Sequence, residues 1–128
     1  MVADRLDDGV RIAQLLASEV TGNESGLRGL TVADADRDVE PTPDGALAYR
    51  IAREAGDPVA EVYVQPDRAR IEALAAPDAV ADAAAAAGLR VRPKAVRPPR
   101  TLVFVEDGAA VKRSLAVLEA LRTGPDAE

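Results

Sequence analysis

Residues 47–74 read LAYRIAREAGDPVAEVYVQPDRARIEAL, and the fold follows from how this stretch is punctuated. Leu47, Tyr49 and Ile51 alternate with Ala48, Arg50 and Ala52, the period of two expected of a half-buried strand. Glu54-Ala55-Gly56-Asp57-Pro58 is a turn. Val59 to Val64 returns, with Ala60, Val62 and Val64 on one face and Glu61 and Tyr63 on the other. Gln65-Pro66-Asp67 turns again, and Arg68, Arg70 and Glu72 then alternate with Ala69, Ile71 and Ala73. Three strands joined by short turns predict an antiparallel sheet that covers one face and wets the other. In simple register the face carrying Arg68 and Arg70 meets the face carrying Glu61 and Tyr63, so a structural Tyr–Arg stack is expected there. Arg50, Arg68 and Arg70 together form a second basic patch.

N-terminal to the meander, Asp4 to Val20 reads as an amphipathic helix. Leu6, Val10, Ala13, Leu16 and Val20 recur at helical spacing, and Ile12 and Leu15 widen the stripe. Gly9 inside a helix costs about 1 kcal/mol against Ala, which fits a start at Asp7 or Asp8. Gly22 is placed for a left-handed cap. Leu30 to Ala33 is a short strand, and Asp34 to Gly45 is a polar, proline-bearing loop.

C-terminal to it, Pro77-Asp78 opens an Ala-rich helix to Ala87, stopped by Gly88. Leu89 to Arg92 is a strand, and Pro93 to Arg100 an extended connection. Thr101 to Val105 is apolar through its centre, as a strand covered on both faces would be. Asp107 caps a last helix with the stripe Val111, Leu115, Leu118 and Leu121, ended by Gly124-Pro125. The order α-β-β-β-β-α-β-β-α predicts one α+β domain over residues 1–124, followed by a disordered tail at 125–128. Its architecture is a two-layer sandwich, a mainly antiparallel sheet with helices packed on one face. The expected core is Val, Leu and Ala with a single Phe.

At 128 residues the chain has single-domain length. Acids outnumber bases 22 to 16, for a net charge of −6 and a pI near 4.7. Only Lys94 and Lys112 are lysines; the other bases are arginines. Isoleucine occurs only at 12, 51 and 71, and the aromatics are Tyr49, Tyr63 and Phe104. Such a balance suits a protein kept soluble by acidic surface in concentrated salt, or a GC-rich genome. The start Met1-Val2-Ala3-Asp4-Arg5 is unlike a secretory signal, and no stretch approaches the roughly eighteen apolar residues of a membrane span. A cytoplasmic location is expected.

Histidine and cysteine are absent. The usual general base, the commonest metal ligand and the thiol nucleophile are therefore missing. Ser114 and Lys112 are two apart on a helix and point to different sides. Asp34-Ala35-Asp36-Arg37-Asp38 resembles the opening of a calcium loop. Position six is Val39 rather than Gly, however, and position twelve is Gly45 rather than Glu. No catalytic residue, metal site or cofactor is expected.

The charge anomaly lies further on. Between Asp82 and Glu106 there is no acid, and Arg90, Arg92, Lys94, Arg97 and Arg100 fall within eleven residues. On a strand Arg90, Arg92 and Lys94 share a face, and Pro98-Pro99 holds the following chain extended. Three readings remain open. The arginines could pair with the protein's own acids and cover apolar surface with their stems. The strip and a sheet edge could dock an acidic protein partner or a second copy, where Arg is favoured over Lys. Or the strip could bind RNA or another anion, although it lacks the aromatics used for base stacking and phosphate binding weakens with salt.

The chain resembles the small, acidic, uncharacterised proteins of haloarchaea. The stretches that carry the resemblance are Arg5-Leu6-Asp7-Asp8-Gly9-Val10-Arg11-Ile12-Ala13, Asp36-Arg37-Asp38-Val39-Glu40-Pro41-Thr42-Pro43 and Arg100-Thr101-Leu102-Val103-Phe104-Val105-Glu106. This resemblance implies a habitat and no activity, cofactor or site. The α-β-β-β-α order is also similar to that of the double-stranded-RNA-binding domain. That family starts its second helix with basic residues, where this chain has Pro77-Asp78-Ala79-Val80-Ala81-Asp82, so the contacts that would bind RNA are not there.

Overall fold

The tight turn at Pro66-Asp67 sets the register of the sheet. It pairs Gln65 with Arg68, which puts Tyr63 opposite Arg70 and Glu61 opposite Glu72. The computed structural model describes residues 8–22, 29–53, 56–96 and 99–123. Strands β1 (Leu30–Ala33), β2 (Ala46–Arg53), β3 (Pro58–Gln65), β4 (Arg68–Ala73), β5 (Arg90–Lys94) and β6 (Arg100–Val105) form one sheet in the order β1-β2-β3-β4-β6-β5. Every neighbouring pair is antiparallel. The first four strands are a meander. The chain then crosses by a helix to the far edge and returns as β6 between β4 and β5.

Helices α1 (Gly9–Thr21), α2 (Pro77–Ala86), α3 (Gly108–Arg113) and α4 (Leu115–Thr123) complete an α+β fold. α1 lies against β1, β3 and β4, and α2 against β5 and β6; α3 contacts α1, and α4 contacts α2. The core between the layers takes Ile12, Leu16 and Val20 from α1, Val62, Val64, Ile71, Val103 and Val105 from the sheet, and Leu118 and Leu121 from α4. Polar ties also fix helices to the sheet, among them the Thr101 hydroxyl, which donates to the Pro77 carbonyl at 3.1 Å. The buried Tyr49 hydroxyl donates to the Ala13 carbonyl at 2.8 Å. Arg53 sets Nε and Nη2 on the Leu121 carbonyl at 3.1 and 2.9 Å, supplying donors and positive charge where α4 leaves carbonyls unpaired.

Several local expectations change. Asp8 caps α1 by accepting from Arg11 N, so the helix begins at Gly9; residues 4–7 lie outside the described residues, as does the tail at 125–128. Gly22 ends α1 in an extended conformation, whereas Gly88, at φ 78°, takes the left-handed one. Leu47 does not share a face with Tyr49 and Ile51. The register shifts at Ala48, so that Leu47 pairs with Tyr63 while Tyr49 pairs with Val62, and one inserted residue reverses the face of what precedes it. Pro93 sits inside β5 rather than in a connection, which the edge position allows. β6 is covered on one face only: Thr101, Val103 and Val105 are buried, while Leu102 and Phe104 are half-buried on the other side. The aromatic residue of the core is therefore Tyr49 and not Phe104. The last helix breaks at Ser114, whose hydroxyl donates to the Val111 carbonyl at 2.6 Å, while Lys112 turns away to Glu19 at 2.7 Å.

Gly9 has a purpose that the helical pattern does not reveal. Its N–H donates to the Pro66 carbonyl at 3.2 Å, and a Cβ there would lie 1.8 Å from the Gln65 carbonyl oxygen and 2.6 Å from that of Arg68. The first turn of α1 is seated directly on the β3–β4 turn. Gly9→Ala should therefore destabilise the fold by about 3 kcal/mol, the upper range for overpacking, although Ala is the better helix former. Urea denaturation of the two proteins reads this, and an unchanged or raised midpoint would contradict it.

Candidate functional site

The alternation that buries Ala60, Val62 and Val64 sends Glu61, Tyr63 and their cross-strand neighbours to the face on which none of the described helices packs. Two rows run across this face. The first is Arg50, Glu61, Glu72, Leu102 and Arg92; the second is Leu47, Tyr63, Arg70, Phe104 and Arg90. Arg68 flanks the second row, and Arg100 and Lys94 flank the first.

The first row sets Glu61 directly opposite Glu72, an unfavourable cross-strand pair. Both are buried, with side chains only 10% and 2% exposed. Cations converge on them. Arg100 Nη1 donates to Glu61 Oε1 at 3.0 Å and to Glu72 Oε1 at 2.9 Å, bridging the two carboxylates. Arg50 Nε reaches Glu61 Oε2 at 3.1 Å and its Nη1 reaches Asp34 at 3.1 Å. Glu72 also receives Arg70 at 3.0 Å and Lys94 at 3.3 Å. The Tyr63 hydroxyl donates to Glu61 at 2.7 Å.

Arg70 also lies over the Tyr63 ring, 4.8 Å from its centroid, which is the stack expected from the strand register. Its Nη1 donates to the Asp44 carbonyl at 3.1 Å. Gly45, at φ 99°, makes room, because a Cβ there would stand 2.9 Å from the guanidinium. At the outer end of the second row, Arg68 and Arg90 lie over the Phe104 ring at 5.8 and 5.6 Å, and both donate to Glu106 Oε2, at 3.3 and 3.0 Å.

The expected strip is thus drawn into this network. Arg90, Lys94 and Arg100 each hold a carboxylate of the protein itself. Arg92 is exposed and makes no ion pair among the described residues. Arg97 lies outside the described residues. The separate basic patch of Arg50, Arg68 and Arg70 belongs to the same face. The carboxylates that organise it, Glu61 and Glu72, are not in the strip at all, yet a two-residue turn pairing Gln65 with Arg68 already implies their juxtaposition. In the loop at 34–45, Asp34 is engaged by Arg50 and Asp36 accepts from the Asp38 N–H at 2.9 Å, so each closes local structure.

Burial alone would raise the Glu61 pKa. Hydrogen bonds from Tyr63 and Arg50 and the charges of Arg100 and Arg50 outweigh it and hold the carboxyl below its ordinary value. A carboxylate depressed in the folded state adds stability above its unfolded pKa and loses it as pH falls through the folded one. Stability should therefore fall as the pH drops below about 4, and Glu61→Gln should flatten that limb in urea melts taken across pH. An acid limb unchanged by the substitution would remove Glu61 as its source. Glu72→Gln should cost about 3 kcal/mol at neutral pH, because it leaves buried guanidinium charge uncompensated. A loss under about 1 kcal/mol would mean that water satisfies those cations instead.

No curated protein and no solved structure matches the chain. A family described as a family of unknown function, DUF7993, matches it across residues 1–128. The chain belongs to that family.

Proposed function

We propose that the chain is a non-enzymatic interaction domain of a salt-adapted cytoplasm, of the small acidic haloarchaeal kind, which docks an acidic protein partner on the helix-free sheet face. The observation that carries this reading is a surplus of fixed cations. The face holds Arg50, Arg68, Arg70, Arg90, Arg92, Lys94 and Arg100, and the carboxylates they pair with are Asp34, Glu61, Asp67, Glu72 and Glu106, a net +2 among these groups on a chain of net −6. Half-buried Leu47, Tyr63, Leu102 and Phe104 lie between them. Arginine and aromatic side chains around a desolvated centre are the composition of protein interfaces.

Charge complementarity chooses the occupant. A two-fold dimer through this face would set its cations against themselves, so a second copy is disfavoured there. Pro93 and the charges on β5 blunt the free edge against strand addition. RNA has less support, because Tyr63 and Phe104 already have guanidinium groups over their rings. The carboxylates in the middle of the face are engaged by cations, which supports a scaffold rather than an acid–base centre. Among the described residues no helix is long and apolar enough to cross a membrane.

The test uses an acetylated hexaglutamate peptide and a single-stranded oligoribonucleotide of equal charge, titrated separately while amide resonances are followed. The peptide should shift residues 90–94 and 100–105, and Arg92→Gln should weaken it about tenfold, the loss of one charge-assisted contact. Failure of the peptide to bind, or tighter binding of the oligonucleotide, would overturn the reading.

A further inference from the structure

The centre and the outer end of the charged face differ in one respect. Glu72, at its centre, is sealed beneath three cations. Glu106, at its outer end, is 39% exposed and offers one oxygen, Oε2, to both Arg68 and Arg90. Guanidinium and carboxylate groups bind best through two parallel hydrogen bonds. Neither arginine has that arrangement here. Both are nonetheless held in place, because their guanidinium groups lie over the Phe104 ring. Arg90 is 68% exposed, so the clamp opens to solvent on the β5 side. Arg92 follows on the same face of the same strand, about 7 Å further along.

From this geometry we infer that Arg68, Phe104 and Arg90 form the anchor point of the docking face, that its ligand is a carboxylate side chain of the partner, and that Glu106 is the resident carboxylate this ligand displaces. The inference rests on the docking role proposed above and assigns its anchor. The slot already holds a carboxylate, which fixes the ligand chemistry it fits. Displacement is inexpensive because Glu106 is partly hydrated where it stands and rehydrates fully on leaving. The arriving group can exchange one shared oxygen for a two-oxygen fork on the exposed Arg90 and a single hydrogen bond from Arg68, whose Nε already faces Asp67 at 3.5 Å. A second acidic residue two positions along an extended segment reaches Arg92, at the spacing of alternate residues in a strand. Glu106 thus keeps two arginines ordered in the free protein, so the partner meets a surface whose side-chain ordering is already largely complete.

The substitution Glu106→Gln removes the resident charge at nearly constant shape. Asp34→Asn is the control: it removes the same charge beside Arg50, at the opposite edge of the sheet. Both are titrated with the hexaglutamate peptide at one fixed ionic strength. Glu106→Gln should tighten binding about tenfold, and Asp34→Asn less than about twofold. Equal gains from the two variants would mean a general field effect and would overturn the anchor. An unchanged or weaker affinity in Glu106→Gln would do the same. If the wild type binds with Arg92 dependence while Glu106→Gln changes nothing, the docking role stands and the anchor assignment falls. A larger gain for inorganic phosphate than for the peptide in Glu106→Gln would overturn the ligand class.

Discussion

Glu61 and Glu72 stand directly opposite each other on adjacent central strands, both buried, and the rest of the helix-free face answers that juxtaposition. Two like charges about 5 Å apart repel by about 3 kcal/mol at an effective dielectric constant near 20, before any cost of desolvation. The pair is tolerable only because cations reach it from both sides. Arg50 comes from β2, Arg70 from β4, Arg100 from β6 and Lys94 from β5. Five strands, β2 to β6, are thereby tied through side chains on a face where none of the described helices packs. The network does for this face what the apolar core does for the other.

The residue types follow from the geometry. A single nitrogen of Arg100 bridges both carboxylates, which leaves its other donors for further contacts. Arg70 must pair with Glu72, donate to the Asp44 carbonyl and lie over the Tyr63 ring, and it passes the backbone at Gly45 to do so. A planar fork can make these contacts together, whereas an ammonium cannot. The predominance of arginine over lysine, read from composition as a habit of genome or habitat, has a local structural use here.

What could be read in advance was whatever depends on period and on short turns. Alternation along residues 59–73 and the tight turn at Pro66-Asp67 specify which residues share a face, and the Tyr63–Arg70 stack follows from them. What could not be read were features set by contacts distant in sequence. The register shift at Ala48 moves Leu47 to the wet face, and nothing in the local alternation marks it. Gly9 looks like a weak spot in a helix until the β3–β4 turn is placed against it. β6 reads as covered on both faces because Leu102 and Phe104 are apolar; on one side both are only half-buried, and two guanidinium groups lie over Phe104. The strip from Arg90 to Arg100 was visible as a charge excess, but its acids lie 16 to 39 residues away in sequence, beyond any local window.

Salt separates the two uses of these charges. The screening length is about 8 Å at physiological ionic strength and about 3 Å at 1 M. Glu72 is buried and its pairs are no longer than 3.3 Å, so they persist where long-range fields vanish. Electrostatic steering of a partner, which acts over several screening lengths, does not. A net charge of +2 on one face therefore contributes little to recognition in concentrated salt. What remains effective there is contact: guanidinium forks at hydrogen-bond distance, already oriented over Phe104. For the docking role proposed above, discrimination in concentrated salt would then rest on contacts at short range, where a partner's own cations would also meet the arginines directly.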